Sequence, residues 1–416
     1  TLTGSLVIQS YEDAEAAQPY EKVTENVIIT DQAPPDLDLP FLKEVGGDLS
    51  IHDTALTKGL SFPKLESVGG AIEVKSNPGL ETLKLPVLAS VGGAMILDKL
   101  PVFQTLDIGA LLEVGERFVI TSAGNLKTLD LGSFTTLPDE LVIRKNNVLQ
   151  HLYLTQLETV SGLVWISQLP ELKTIDLKAL NEVGGSVEIT HIPKLLELDL
   201  SGLNFVGTAG LQLADSGLSF QALEAVTVIH VDGLQGVRGE LRVDYNPFLA
   251  AINLESLTGV GSLQVTDNAS LQNLEVPVLS EVAPCWEAPV AGCDAGDFAT
   301  PGWLTVSSNA KLKNIYMPEL MEAQHTVQVD QNDNLVGIVM GKLERAFAIL
   351  IEDNASLVSV HLTTLSTLPS PVTNVPEPST ISLALTGQPK LKTLTLGNLT
   401  STKGAIVLRG SPLLQS

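Results

Sequence analysis

The sequence predicts an all-β protein, a parallel β-solenoid of about 16–17 coils of ~23 residues that stack into one elongated rod. Three observations predict this class. A valine or leucine recurs at intervals of 23 residues, each repeat carries two short apolar runs, and only 4% of the 416 residues are aromatic. The recurring positions are Val45, Val68, Val91, Val114, Leu137, Val160, Val183 and Val206.

The two apolar runs of each repeat have the period of a strand with one buried face. In the first run, pairs such as Leu49/Ile51 and Ile72/Val74 alternate with polar positions such as Glu73. In the second run, pairs such as Leu83/Leu85 alternate in the same way. Neither strand can bury its inner face alone, so each is expected to pair in parallel with its counterpart one repeat away. The sequence therefore predicts two strands and two turns per coil.

Each predicted turn has its own residue preference. The Val-Gly-Gly turn is expected to use glycine for positive φ, a region that glycine reaches without a Cβ penalty. The other turn carries a column in which asparagine alternates with leucine or isoleucine, which predicts an inward position. There the amide is expected to bond turn backbone groups that the strands leave unpaired. The column is Asn77, Leu100, Asn146, Leu169, Ile192, Asn246, Asn268, Asn309, Asn332 and Asn354.

The repeat predicts that residues 1–416 form a single solenoid domain, since a repeat protein grows by adding coils. Residues 1–45 are predicted to be irregular N-terminal coils or a cap. Breaks in the rhythm predict loop insertions at residues 222–235, 283–303 and 363–380, all on one side of the coil. Loops held by a rigid scaffold often carry binding residues. The second insertion is the main candidate for a binding loop, with Trp286 and Trp303 as its binding residues. The alternative is that the loops have no binding role and occur at this corner only because it has room for them.

The chain has a formal net charge of −24. This charge argues against nucleic acid as a partner, because neutralising phosphates needs clustered Lys and Arg. It keeps the protein soluble, and it could also attract cations or basic partners. No run of about 18 apolar residues occurs, so no transmembrane segment is predicted.

An acidic column lies at the outward end of the second run. If Asp107, Asp130, Asp176 and Asp199 stack about 4.8 Å apart, a bound cation such as Ca²⁺ could relieve their repulsion. The pair Asp176 and Asp199 also has the spacing of carboxylates in a retaining glycosidase. The alternative is a solvated face screened by salt and water. No other cofactor is predicted.

Two further features bear on the cellular compartment. Cys285 and Cys293 are the only cysteines, lie close together in an inserted segment, and are predicted to form a disulfide, which suits an oxidising compartment. Three Asn-x-Ser/Thr sequons occur. Asn268 and Asn354 belong to the inward column, so Asn398 is the predicted glycosylation site.

The repeat resembles the receptor L-domain class of leucine-rich β-helices. The resemblance is carried by segments such as LPVLASVGGAMIL and FPKLESVGGAIEVKSNPGLETLKL, and it extends from about Val27 to Ser411. In its Val-Gly-Gly and Asn-Pro turns the chain is similar to fungal GPI-anchored cell-wall proteins and related bacterial and protist surface proteins. The cysteine-rich modules that accompany L-domains in receptor kinases do not occur in this sequence.

The resemblance implies a non-enzymatic extracellular protein of the cell surface or cell wall. Adhesion, ligand binding or wall organisation is the expected function, with a surface protein or polysaccharide as partner. The alternative is a structural subunit of a filament, sheath or surface layer, because the chain finishes in mid-repeat at SPLLQS and an apolar coil end could pair end to end. A polysaccharide-active β-helix enzyme is the third hypothesis.

Overall fold

The fold is an all-β parallel solenoid with coils of about 23 residues, as predicted. The computed structural model describes residues 1–30, 32–54, 58–131, 133–207, 217–283, 302–368, 381–397, 399–402 and 404–414. The chain divides into two units. Unit 1 comprises residues 1–183 and 188–195, and unit 2 comprises residues 184–187 and 196–416, so the boundary falls within the strand Val187–Thr190.

After the first coil, each coil of unit 1 contains three strands rather than the predicted two, because the Val-Gly-Gly corner itself forms a short strand that pairs with its neighbours. The first-strand ladder comprises Leu6–Ile8, Val27–Ile29, Leu49–His52, Ile72–Lys75, Met95–Leu100, Phe118–Ala123, Leu141–Arg144 and Val164–Ser167. The second-strand ladder comprises Asp36–Asp38, Gly59–Ser61, Thr82–Lys84, Thr105–Asp107, Thr128–Asp130, His151–Tyr153 and Thr174–Asp176. The corner ladder comprises Lys22–Val23, Glu44–Val45, Ser67–Val68, Ser90–Val91, Glu113–Val114, Thr136–Leu137, Thr159–Val160 and Glu182–Val183.

Unit 2 has the same three ladders, but corner and first strand often fuse into one long strand. The fused strands are Gly236–Asp244, Gly259–Thr266, Glu322–Asp330 and Arg345–Glu352. Separate first strands are Leu218–Gln221, Leu304–Ser307, Ile381–Thr386 and Ala405–Arg409, and separate corners are Phe205–Val206, Glu281–Val282, Thr367–Leu368 and Ser401–Thr402. The second strands are Glu197–Asp199, Val228–His230, Ala251–Asn253, Asn273–Glu275, Asn314–Tyr316, Gly337–Val339, Ser359–Leu362 and Thr393–Leu396.

The N-terminal segment contains a helix, Tyr11–Ala17, as well as solenoid strands. The Oγ atom of Ser10 accepts a hydrogen bond of 3.1 Å from the backbone N–H of Asp13, which satisfies one of the unpaired donors at the helix start. Ala14 and Ala17 are buried. The strand Leu6–Ile8 pairs in register with Val27–Ile29, so the first coil is regular apart from the inserted helix.

The glycines of the Val-Gly-Gly corner are explained by close packing, and the expectation of positive φ there is wrong. Among the described residues, positive φ occurs at only four glycines, and just one of them, Gly207, follows a corner valine. A Cβ added to Gly69 would lie 2.3 Å from the carbonyl oxygen of Gly46, and one added to Gly92 would lie 2.2 Å from that of Gly69. Where glycine corners stack on one another, their backbones therefore approach too closely for a Cβ atom.

Positive φ occurs instead at the turn between the first and second strands. Residues immediately before the inward column have φ between 52° and 58°, for example Lys99 at 57° and Lys145 at 56°. The column itself is buried, as predicted, and Asn77, Asn146, Asn246, Asn268 and Asn309 have no exposed surface. In unit 2, each asparagine bonds to the next. For example, the backbone N–H of Asn268 donates to Oδ1 of Asn309 at 3.1 Å.

The first predicted insertion is misplaced. Residues 222–235 contain the strand Val228–His230, which pairs in register with Glu197–Asp199, and they form a regular coil. The extra length lies between Val206, the end of a corner strand, and Leu218, the start of the next first strand. A break in rhythm shows that residues have been added, but apolar runs on either side allow more than one alignment. Residues 208–216 lie outside the described part of the chain.

Candidate binding site in unit 2

The second predicted insertion leaves the coil and returns to it at neighbouring backbone positions. Ala283 follows the corner strand Glu281–Val282, and Gly302 precedes the first strand Leu304–Ser307. A Cβ added to Gly302 would lie 2.7 Å from the carbonyl oxygen of Val282 and 3.1 Å from Cα of Ala283. The two ends of the segment therefore meet in a tight neck, and Trp303 lies directly beside it.

The main chain of Trp303 is bonded to the preceding coil, at Ser262 and Leu263. Its N–H lies 3.3 Å from Oγ of Ser262, and its carbonyl oxygen accepts a hydrogen bond of 2.8 Å from the N–H of Leu263. The N–H of His325 donates to the carbonyl oxygen of Gly302 at 3.2 Å. The residue as a whole nevertheless remains 36% exposed. A large aromatic surface is thus presented from a fixed backbone.

Three rings from successive coils contact one another in a row at this corner. The ring centroids of Trp303 and His325 are 3.7 Å apart with the ring planes tilted by 36°. Those of His325 and Phe347 are 4.9 Å apart, and these two rings are stacked with an interplanar angle of 17°. Ring contacts of this kind add stability beyond the area they bury. The strand Glu322–Asp330 shifts its register against its neighbour between Ala323 and Thr326, and His325 lies within this bulge.

His325 is neutral under ordinary conditions. Only 7% of the residue is exposed, and burial lowers the pKa of the imidazole to about 4. Its Nδ1 atom lies 3.1 Å from Oγ1 of Thr326, which is also buried. The ring behind Trp303 therefore carries no positive charge near neutral pH.

Two carboxylates lie in register on the corner ladder of the same coils. Glu281 pairs with Glu322, and Glu322 pairs in turn with Arg345. Burial, together with the charge of Glu322, raises the pKa of the Glu281 carboxyl. Nη1 of Arg345 lies 3.8 Å from Oε1 of Glu322. We call Trp303, His325, Phe347, Glu281 and Glu322 the aromatic corner.

Of the residues of this candidate site, the sequence names only Trp303 as a binding residue, and its binding role stays a prediction. Trp286, Cys285 and Cys293 lie outside the described residues, and the disulfide between the two cysteines also stays a prediction. His325, Phe347 and the two glutamates were not singled out. A signal for the rings was available, because Trp303, His325 and Phe347 are spaced 22 residues apart, the length of a short coil.

The predicted acidic column does not form one continuous set within unit 1. Asp107 pairs with Lys84, while Tyr153 lies between Asp130 and Asp176 in the register. Asp199 belongs to unit 2, where it pairs with His230 and its Oδ1 accepts a hydrogen bond of 3.0 Å from the N–H of Ser201. Nowhere in the described part of the chain do three His, Cys, Asp or Glu side chains converge as metal ligands. A cation bound by fewer carboxylates stays a prediction, as does catalysis by Asp176 and Asp199.

Two of the three sequon asparagines, Asn268 and Asn354, are buried, as their positions in the repeat predict. Asn268 and Asn354 have no exposed surface and hydrogen-bond within the core. Asn398 lies outside the described residues, so its glycosylation stays a prediction. Within the described ranges, no helix is long and apolar enough to cross a membrane.

Comparisons with known proteins give the chain no family. No family model matches it, and no curated protein matches it. Among the solved structures that match is the crystal structure of a TLR13–ssRNA13 complex, at 12% identity, covering 96% of this chain and 72% of that chain with a TM-score of 0.24. At that identity and TM-score, the likeness carries no argument about this chain.

Proposed function

We propose that this chain is a non-enzymatic binding protein of the extracellular surface or cell wall that contacts its ligand through the aromatic corner. The observation that carries the proposal is the exposed indole of Trp303, fixed by the ladder beside the neck of an insertion. Exposed aromatic side chains on a rigid frame supply contact area at small entropic cost. The resemblance of the repeat to L-domain-like surface proteins supports the extracellular location.

Two experiments test this function. Intact cells of the source organism are labelled with a membrane-impermeant amine reagent, and the proposal expects the chain among the labelled proteins. Purified chain is then sedimented with the organism's surface fraction. Trp303→Ala is expected to weaken retention by at least about tenfold. The matched control is Tyr316→Ala, which removes another exposed aromatic side chain of unit 2. A cytosolic location, or equal retention of both variants, would contradict the proposal.

A second candidate function is assembly through the strand Ala405–Arg409. Its inward residues Ile406 and Leu408 are 47% and 48% exposed, whereas their register partners Leu383 and Leu385 have no exposed surface. Exposed apolar residues along a strand edge favour pairing with another strand. Sedimentation velocity over a range of concentrations tests this function. The wild type is expected to associate as its concentration rises. The double variant Ile406→Lys with Leu408→Lys should abolish this association, whereas Val7→Lys should preserve it. A wild type that stays monomeric at high concentration would contradict this second function.

A further inference from the structure

We infer that the aromatic corner receives a cationic side chain, a lysine ammonium or an arginine guanidinium, from a protein partner. The inference rests on the proposed binding function and names the chemistry of its ligand. It is carried by features of the same coils: an exposed tryptophan, a buried ring in contact with it, and two carboxylates in register on the corner strands.

The stack suits a cation on electrostatic grounds. The face of an indole attracts cations more strongly than the faces of tyrosine or phenylalanine do. Trp303 contacts His325 with a centroid distance of 3.7 Å, and the next ring is the uncharged Phe347. Since His325 is neutral, nothing within the stack repels a positive guest near neutral pH.

The carboxylates add complementary charge to the same corner. Glu281 is in register with Glu322, so two negative charges lie on adjacent coils. Arg345 lies at 3.8 Å from Glu322 and is in register with it rather than with Glu281. A partner's cation near Glu281 would relieve the repulsion between the two glutamates, and the net charge of −24 would favour the approach of a basic surface.

Unit 1 contains an internal example of the same contact. The guanidinium carbon of Arg144 lies 3.2 Å from the ring centroid of Trp165, and Nε of Arg144 donates to Oγ of Ser167 at 3.0 Å. The contact is diagonal between adjacent coils, because Trp165 is opposite Val142 and Arg144 is opposite Ser167. At the aromatic corner, the ring in contact with the indole is His325 on the following coil, whereas Arg144 lies on the coil that precedes Trp165.

Fluorescence of a single indole tests the inference. The chain has three tryptophans, so Trp165→Phe with Trp286→Phe leaves Trp303 as the only reporter. An acetylated tetra-arginine amide is titrated into this variant, and the matched probe is the tetra-citrulline peptide, which has the same shape without charge. We expect a saturable change with the arginine peptide and at least about tenfold weaker binding of the citrulline peptide.

The contribution of the carboxylates is tested by near-isosteric substitutions. Glu281→Gln with Glu322→Gln is expected to weaken binding of the arginine peptide by about fivefold. Glu255→Gln with Glu275→Gln removes the same charge from exposed positions elsewhere in unit 2 and should leave the affinity within about twofold. Equal losses in both double variants would overturn the role of the corner pair.

The outcomes separate this inference from the function on which it rests. If Trp303→Ala abolishes retention by the surface fraction while arginine and citrulline peptides bind alike, the binding function stands and the cationic ligand is wrong. A response of Trp303 to neutral oligosaccharides with none to the arginine peptide would overturn the inference in the same way. If Trp303→Ala leaves retention unchanged, the proposed function itself fails.

Discussion

Oδ1 of Asn309 accepts hydrogen bonds from both the backbone N–H and the side-chain amide of Asn268, which precedes it by one coil. The N···O distances are 3.1 and 3.3 Å. The amide of Asn309 in turn donates to the carbonyl oxygens of Val265 and Ser307 and to Oδ1 of Asn332. One buried side chain therefore links four neighbouring residues at the turn through five hydrogen bonds.

Asn309→Ala should strongly destabilise unit 2. The substitution removes five hydrogen-bond partners from the core and leaves the buried N–H of Asn268 unsatisfied, which is expected to cost about 3 kcal/mol. Urea unfolding followed by circular dichroism measures the loss. Asn334→Ala is the control, because that amide is exposed and bonds only to the carbonyl oxygen of Ala310, so a change within about 0.5 kcal/mol is expected. Similar effects of the two variants would contradict the role of the buried ladder.

Gly92→Ala should destabilise unit 1 through steric overlap rather than backbone strain. The new Cβ would lie 2.2 Å from the carbonyl oxygen of Gly69, so adjacent corners must separate, at a cost of about 3 kcal/mol. Gly109→Ala meets nothing within 4 Å and has no positive φ, so it should be neutral or stabilising by about 0.5 kcal/mol. Thermal unfolding of the two variants gives the comparison, and a neutral Gly92→Ala would show that close packing is not what requires glycine.

Lys145→Gly should stabilise unit 1, although glycine usually destabilises a folded chain. Lys145 has a φ of 56°, and a side chain in this left-handed region costs about 1 kcal/mol that glycine avoids. Lys173→Gly changes the same residue type at another exposed position of unit 1 where φ is not positive, and it should destabilise by about 0.5 kcal/mol. Chemical unfolding should therefore give opposite signs. A destabilising effect at both positions would contradict the argument.

The stability of unit 2 should depend on His325 below neutral pH. The pKa of His325 is lowered from 6.5 to about 4 in the fold, so between these values the unfolded chain binds a proton that the folded chain does not. The contribution of His325 is therefore complete above pH 6.5 and falls by about 2–3 kcal/mol as the pH approaches 4. Raised pKa values of the Glu281 and Glu240 carboxyls act in the opposite direction, since the folded chain takes up their protons first.

The difference between wild type and His325→Gln isolates this term, because the carboxyl contributions are shared by both proteins. Urea unfolding at several pH values should give a free-energy difference that changes by about 2–3 kcal/mol between pH 7 and pH 4. Titration of the imidazole Cε1–H signal by NMR gives the pKa directly. A His325 pKa near 6.5 would contradict the assigned burial effect.

The repeat phase could be predicted well because each inward column is read many times along the chain. The burial of the asparagine column, including the sequon residues Asn268 and Asn354, followed from that phase. The sequence did not predict the corner strands, because a strand of two residues has no measurable periodicity. The reason for the corner glycines is the short distance between neighbouring coils, which cannot be inferred from composition. Residues 222–235 were misassigned because an insertion between two similar apolar runs can be aligned on either side.

The candidate site was harder to predict for a related reason. Trp303 was marked by its rarity and by the insertion beside it, but His325 and Phe347 lie in strands whose inward positions follow the ordinary pattern. They face the same corner only because the strand Glu322–Asp330 bulges between Ala323 and Thr326. A bulge of this kind changes which side of the strand a residue faces. This bulge has no characteristic turn residue that would predict it from the sequence.

Because Ala283 and Gly302 lie close together at the neck, the strands on both sides of the inserted segment pair as they do in an uninterrupted coil. The strands before and after it keep their pairing, with Val282 opposite Ala323 and Leu304 opposite Val327. Segments of other lengths and compositions could therefore be exchanged at this point without altering the ladders. The pairing of the strands therefore does not depend on the sequence between residues 284 and 301.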